Sequence, residues 1–391
     1  MLNKISKKQL FTSFIFLLFT INSFAQSSTT YFFASKHCRD SVTNKLIEQI
    51  EETISLPPNE LNYKKLSETF WAMELMLYVP KGFEQKIPTQ IKNLSQTNAS
   101  FQHSFLEMLY TIYPKKFTSY IATIWETLAT DKVKAIALEY MANSNLFPLI
   151  QKTNSFYTSA YNTAYSKRWK QKKTTPPKKK YFLNPQFLSG QTVLCSFQST
   201  NRDQPGYLMI RNANGKWRTD ENNVPLKFPQ LARSITNLPY YLTNGNTPQG
   251  LFKITGLDTS NNNWIGPTTN LQMVLPFENG TEIFFGNDRL FEIFYTKLLG
   301  PLKKYTSLME TFEAGKLGRS EIIAHGTTIN PAYYHKKKYF PNTPSMGCLC
   351  SPESWNTKGE RIYSSQAAWI NELKKIKKQP TYLIVADISD L

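Results

Sequence analysis

The sequence predicts an α+β protein in which an all-α region precedes a mainly β region. Apolar residues between about 37 and 152 recur with the spacing of amphipathic helices, and prolines divide them into separate segments. After Gly190 the pattern changes to short apolar runs between Gly, Asn and Pro clusters, which is typical of strands and turns. With 391 residues, of which 41% are hydrophobic, the chain is long and apolar enough for two folded domains.

Residues 1–25 have the layout of a secretory signal peptide. Lysines come first, an apolar run covers 10–21, and Ser23-Phe24-Ala25 is a small-x-small cleavage signal. The run is too short to span a bilayer comfortably, although an uncleaved anchor is the alternative. We therefore predict cleavage after Ala25 and export across the inner membrane to a bacterial periplasm.

The charge of the chain favours an anionic partner. Its 46 Lys+Arg against 28 Asp+Glu give a net charge of +18. Because we expect export, nucleic acid is not an expected partner, whereas cell-wall polymer and lipid headgroups are. Four cysteines and four histidines exclude a cysteine framework, and no set of them has the spacing of metal ligands.

Residues 27–165 are predicted to form a helical domain, either an antiparallel bundle or a HEAT-like stack. Its role is that of a scaffold or of a docking surface for a wall-assembly protein partner. Predicted helices cover residues 42–54, 59–78, 101–113, 117–129 and 131–143, and Asn98 is a predicted N-cap.

Residues 166–189 are predicted to be a basic, proline-containing linker. The run from 167 to 180 reads KRWKQKKTTPPKKK, a composition typical of a solvated boundary between domains. The alternative is that this run binds an anionic wall polymer or phospholipid.

The region 190–391 is predicted to be mainly β. An Asn214-Gly215 turn indicates a hairpin, and residues 290–314 are predicted to be a helical insertion. Further predicted strands cover residues 191–199, 282–285, 321–324 and 382–386.

A histidine and a cysteine in this region have the surroundings that thiol chemistry needs. His325 ends a predicted strand, and a histidine is the usual base for a cysteine because its pKa lies near neutrality. Cys348 follows Gly347, which lets the backbone approach a developing oxyanion closely. These residues predict a nucleophilic cysteine, although a buried structural histidine is the alternative for His325.

Three segments together resemble the catalytic domain of the L,D-transpeptidase (YkuD-type) family. The segment 247–252 matches the pattern TPxGxF, His325-Gly326-Thr327 matches HGT, and residues 345–348 match SxGC. The resemblance covers residues 190–391, about half of the chain. It implies a mainly β, sandwich-like catalytic domain with a small helix.

The resemblance also implies an activity on peptidoglycan stem peptides. Cys348 would be the acylated nucleophile, His325 its base, and the Gly326 carbonyl would orient His325. The N–H groups of Gly347 and Cys348 would form the oxyanion hole. The thioester would pass to an amine of a neighbouring stem to form a cross-link, without metal or cofactor. Water as the acceptor would instead give an L,D-carboxypeptidase or endopeptidase.

Three departures from the family pattern leave a non-catalytic peptidoglycan-binding protein as a further alternative. Met346 stands where the family has a second histidine, and Cys350 where it has Arg or Asn. The interval from His325 to Cys348 is also longer than usual, and it holds two adjacent tyrosines. The expected substrate-binding residues are Thr327, Tyr333, Tyr334, Ser345 and Met346. The oligomeric state and the pairing of Cys38, Cys195 and Cys350 stay open.

Overall fold

The computed structural model describes residues 29–142, 155–170 and 175–391. The predicted signal peptide lies outside these residues, as do parts of the predicted helical domain and linker. The described chain combines helices with a large, nearly closed, mainly β sheet, so the α+β class is confirmed.

Helices occupy the described residues up to 170. The predicted N-cap is confirmed: the Asn98 side chain accepts a hydrogen bond from the Phe101 N–H at 2.9 Å. No helix among the described residues is both long and apolar enough to cross a membrane. The helices are α1 (Lys36–Thr53), α2 (Tyr63–Met76), α3 (Phe83–Asn93), α4 (Ala99–Ile112), α5 (Thr118–Ile124), α6 (Asp131–Met141) and α7 (Ala160–Lys170).

The core of the helical region continues into the C-terminal region. Phe70, Phe105 and Ile136 belong to an apolar cluster that also contains Tyr241 and Tyr334 from the C-terminal region. Residues 27–165 alone would therefore leave part of this cluster exposed to water, which is unfavourable. The two predicted domains thus share one packed interface.

The C-terminal region is built on one mixed sheet of eight strands. Their order is β3-β2-β1-β10-β4-β5-β6-β7, with β8 and β9 in a separate hairpin. The strands are β1 (Val193–Gln198), β2 (Gly206–Arg211), β3 (Phe228–Gln230), β4 (Gly250–Asp258), β5 (Asn270–Val274), β6 (Ala324–His325), β7 (Leu349–Cys350), β8 (Glu353–Trp355), β9 (Arg361–Ser364) and β10 (Tyr382–Asp387). The helices here are α8 (Glu282–Phe285), α9 (Phe291–Leu299), α10 (Glu310–Lys316) and α11 (Ser365–Lys374).

The two ends of this sheet meet beside the predicted cysteine. Leu231, directly after β3, exchanges both backbone hydrogen bonds with Cys350, at 2.8 and 2.9 Å. β7 also pairs in parallel with β6 on its other side, Ala324 opposite Leu349. The short strand that follows Cys348 is therefore held on both sides.

Two local predictions were wrong. Residues 282–285 form helix α8 rather than a strand, because a run of four apolar residues satisfies either periodicity. The helix predicted over 59–78 begins only at Tyr63, and Leu61 before it is 88% exposed. Helix α3 was not predicted, since Pro88 lies inside it.

The described part of the predicted linker is folded. Helix α7 extends through its first residues, where Arg168 and Trp169 donate hydrogen bonds to Glu139 on α6. A short 3-10 helix over Lys179–Leu183 then buries Phe182 completely against the sheet. Apolar residues inside the basic run thus attach it to both regions.

Candidate functional site

The turn after β6 fixes the orientation of His325. Its Nδ1 lies 2.5 Å from the Gly326 carbonyl, so Nδ1 carries the proton and Nε2 is the basic nitrogen. His325 is only 4% exposed, and burial lowers the pKa of its imidazole. The ring is therefore neutral at pH 7 and able to accept a proton.

A half-buried carboxylate, Glu353 on β8, lies behind this turn. It accepts hydrogen bonds from the Thr327 N–H at 2.9 Å and from the hydroxyls of Thr268 and Ser364 at 2.6 and 2.5 Å. A Cβ atom at Gly326 would lie 2.2 Å from a Glu353 carboxylate oxygen. A side chain at position 326 would therefore require the Glu353 carboxylate to move away from the turn. Burial raises the pKa of Glu353.

The turn before β7 is held by three hydrogen bonds. Ser345 Oγ donates to the Cys348 carbonyl at 2.8 Å and accepts from the Gly347 N–H at 3.2 Å. Thr247, from the TPxGxF segment, donates to the Gly347 carbonyl at 2.8 Å. Gly347 has φ +117°, a conformation that favours glycine. The structure therefore joins the segments around 247 and 345 directly.

Cys348 directly precedes β7. Its Sγ accepts from the Ile323 N–H and donates to the Glu321 carbonyl, each at 3.5 Å. In the β6–β7 pair His325 lies opposite Cys350, so that Cys348 is two residues away along the neighbouring chain segment. No hydrogen bond among the described residues joins the thiol to the imidazole. Burial raises the pKa of Cys348 to about 11, so the resting thiol is neutral.

A buried arginine that the sequence motifs do not include faces the Cys348 turn. Arg319 Nη1 donates to the carbonyls of Tyr240 and Leu242 at 2.6 and 2.7 Å, and Nη2 donates to the Gly245 carbonyl at 3.2 Å. A Cβ atom at Gly347 would lie 2.6 Å from Arg319 Nη2. Burial lowers the pKa of this guanidinium to about 10, which leaves it charged at neutral pH.

The backbone donors expected for an oxyanion hole are in different situations. The Gly347 N–H is bonded to Ser345, as described above. The Cys348 N–H makes no hydrogen bond with any described residue. Cys348 is therefore the open donor, and Gly347 becomes one only if Ser345 releases it.

Three of the five expected substrate-binding residues have their polar groups engaged inside the protein. Thr327 is 3% exposed and its hydroxyl accepts from the Ile329 N–H. The Ser345 hydroxyl is bonded to the Cys348 carbonyl and to the Gly347 N–H of its own turn. Tyr334 is 1% exposed, packs in the helical core and donates to the Leu75 carbonyl at 2.7 Å. The prediction that these three face a ligand conflicts with this placement.

The other two expected residues are half-buried and contact the helical region. Tyr333 is hydrogen-bonded through its hydroxyl to Thr43 on α1 at 2.6 Å. Met346 packs against the shared apolar cluster. The long interval between His325 and Cys348 thus lies against α1 and α2.

The four cysteines of the chain are free thiols in the structure. Cys350 is 1% exposed, lies 3.7 Å from the Thr343 hydroxyl, and burial raises its pKa to about 12. Among the described residues, no three His, Cys, Asp or Glu side chains are grouped as metal ligands.

No protein-family model, no curated protein and no solved structure matches this chain. The geometry of the two turns is therefore the basis on which a function is inferred.

Proposed function

We propose that the protein is an exported cysteine acyltransferase that acts as an L,D-transpeptidase on peptidoglycan stem peptides in the periplasm. The observation that carries the proposal is the pairing of β6 with β7, in which His325 lies opposite Cys350, two residues after Cys348. The resemblance to the L,D-transpeptidase (YkuD-type) catalytic domain supplies the substrate class, and the net charge of +18 suits an anionic wall polymer.

In the first half of the reaction, Cys348 Sγ attacks the carbonyl of the bond that precedes D-Ala. The thiol proton passes to His325 Nε2, since Nδ1 is bonded to the Gly326 carbonyl. Negative charge develops on the carbonyl oxygen, which the Cys348 N–H is free to bind. Collapse of the tetrahedral intermediate breaks the peptide bond, and His325 protonates the departing D-Ala amine. A thioester on Cys348 remains.

In the second half, the amine of a neighbouring stem attacks the thioester. His325 takes a proton from this amine, a new amide bond forms and the thiolate of Cys348 leaves, regaining its proton from His325. Water in place of the amine would release a trimmed stem, which is the carboxypeptidase or endopeptidase alternative.

Purified mature protein incubated with a disaccharide-tetrapeptide, followed by mass spectrometry, tests the proposal. We expect cross-linked dimers and released D-Ala from the wild type, and none from Cys348→Ala or His325→Gln. Trimmed monomers without dimers would assign water as the acceptor.

A non-catalytic wall-binding protein is favoured by one observation, the neutral thiol without a hydrogen bond to His325. It predicts that folded wild type gives no product with either common diamino acid, while wild type and Cys348→Ala both bind insoluble peptidoglycan. Docking of a wall-assembly protein on the helical region is best tested with the full chain, because the two regions share a core.

A further inference from the structure

Arg319 is a buried cation without an ion-pair partner among the described residues. It is 5% exposed, and the three carbonyls of Tyr240, Leu242 and Gly245 receive its hydrogen bonds. Carbonyl oxygens satisfy the donors of a guanidinium but do not neutralise its charge. A buried cation of this kind stabilises any anion that forms beside it, because the surrounding protein screens the field less than water does.

The thiol of Cys348 is the group beside Arg319 on which an anion forms during acyl transfer. Gly347, the preceding residue, packs directly against Arg319 Nη2. Arg319 also binds the loop over 240–247, from which Thr247 donates to the Gly347 carbonyl. The positive charge of Arg319 lowers the pKa of Cys348, against the larger effect of burial.

We propose that Arg319 is a positioning residue that holds the Gly347–Cys348 turn and stabilises the negative charge on Cys348 Sγ in the thiolate. Its effect on the reaction would be largest when the thiolate forms and when it leaves the thioester. Only the expected effect of Arg319 on turnover rests on the proposed function. The effect on the thiol itself does not require a peptidoglycan substrate.

Other charged groups act on the same thiol and on Arg319. The carboxylates of Glu321 and Glu278 both raise the pKa of Cys348. The backbone carbonyl of Glu321 also accepts the hydrogen bond that the thiol donates. Glu107 on α4, which accepts two hydrogen bonds from Asn244, acts on Arg319 from the helical region with Lys132. Because both acids destabilise a thiolate at Cys348, the positive charge of Arg319 offsets their effect on the pKa of this thiol.

The test is the pH dependence of alkylation of Cys348 by iodoacetamide, with the modified peptide quantified by mass spectrometry. Arg319→Gln keeps donors for the carbonyls but removes the charge, whereas Arg319→Lys keeps the charge with fewer donors. Arg211→Gln is the matched control. Arg211 is 2% exposed and also donates to three carbonyls, those of Phe182, Leu188 and Gln191, which lie outside the site.

We expect Arg319→Gln to slow alkylation of Cys348 at pH 8 about tenfold, corresponding to one unit of thiol pKa. Arg319→Lys should restore most of the rate, and Arg211→Gln should stay within about twofold of the wild type. Equal rates for the Gln and Lys variants of Arg319, or an equal loss in Arg211→Gln, would overturn the proposal.

A measurement on the wild type keeps the proposal testable if the Arg319 variants do not fold. A positive field at the thiol favours anionic iodoacetate over neutral iodoacetamide. The rate ratio of these two reagents at Cys348 should exceed the ratio for free N-acetylcysteine. A ratio equal to or below that of the free thiol would count against Arg319. A wild type that shows these alkylation results but no cross-linking would retain the role of Arg319 and contradict the transpeptidase.

Discussion

The two turns that carry His325 and Cys348 are built alike but with opposite charges. In each, a glycine contacts a charged side chain: Gly326 contacts the half-buried Glu353 carboxylate, and Gly347 contacts the buried Arg319 guanidinium. A carboxylate therefore lies near the turn of the proton acceptor, and a cation lies near the turn of the proton donor. Under the proposed function, this arrangement would favour transfer of a proton from Cys348 to His325, because each new charge would form on the side of its complement.

The resting state of the pair differs from the state that this field favours. Burial lowers the pKa of His325 and raises that of Cys348, so both are neutral at pH 7. We therefore expect the charges of Glu353 and Arg319 to affect the proton transfer that follows substrate binding, and not the resting protonation states. A cysteine activated in this way is less exposed to oxidation than a permanent thiolate.

Substituting either glycine should give the largest effect on activity. Gly326→Ala places a Cβ atom 2.2 Å from Glu353, and Gly347→Ala places one 2.6 Å from Arg319 at φ +117°. Because a displacement of about 1 Å at a reacting group costs roughly 100-fold, we expect each variant to lose at least that in kcat/KM. Product formation from the disaccharide-tetrapeptide measures it.

Gly215→Ala is the control for this pair. Gly215 has φ +81° in the hairpin turn, and a Cβ atom there meets no other atom within 4 Å. It should cost about 1 kcal/mol of stability through backbone strain and leave kcat/KM unchanged. If it reduced turnover as much as Gly347→Ala, contact with Arg319 would not be the reason for the loss.

Removing Glu353 should destabilise the protein more than neutralising it. Glu353→Ala leaves the Thr327 N–H and the Thr268 and Ser364 hydroxyls without their acceptor, at a cost of about 3 kcal/mol in the free energy of unfolding. Glu353→Gln retains one acceptor oxygen and should cost about half as much. Urea unfolding at pH 7 measures both, and equal losses would show that the charge alone matters.

The same residue gives a pH dependence of stability with a defined sign. Because the pKa of Glu353 is higher in the folded than in the unfolded protein, the folded state binds its proton more tightly. Its contribution to the free energy of unfolding is therefore present below pH 4.5 and declines as the pH rises toward the raised value. Glu353→Gln should remove this part of the decline, whereas an unchanged slope would assign it to other buried acids such as Glu107.

The pH profile of turnover should show the effect of burial on His325. A general base must be unprotonated, and burial lowers the pKa of this imidazole below its usual 6.5. We expect the acid limb of kcat/KM to have its midpoint below pH 6.5. An acid limb with a midpoint above 6.5 would indicate an imidazole stabilised in its charged form, and hence a resting ion pair with Cys348.

The sequence predicted the segments that meet at the site better than the residues that support them. Thr247, His325 and Cys348 belong to short patterns, and the structure places these segments together. Arg319 and Glu353 belong to no pattern, and a single Arg or Glu in a polar stretch is usually exposed. Arg319 is held by the loop over 240–245, and Glu353 by Thr268 and Thr327, and these partners are distant in the chain.

The class of the fold was predictable because it depends on periodicity over long segments. The segment 282–285 is too short for its periodicity to distinguish a helix from a strand. The interval after His325 shows what local composition misses: Lys336, Lys337 and Lys338 are exposed, but tyrosines on either side of them are buried in the core that the two regions share. Such polarity is typical of a surface loop, whereas tertiary packing here produces a contact between the two regions.

Tyr334→Phe should have the smallest effect and decides between two roles for that contact. The variant removes one buried hydrogen bond to the Leu75 carbonyl and keeps the ring that packs in the shared core. We expect a loss of about 1 kcal/mol in the free energy of unfolding, with KM and kcat unchanged, because the hydroxyl lies on the side of the helical region. Urea unfolding and steady-state kinetics on the same preparation separate these quantities. A raised KM at unchanged stability would instead make Tyr334 a substrate contact, and would require this segment to leave α2 when the substrate binds.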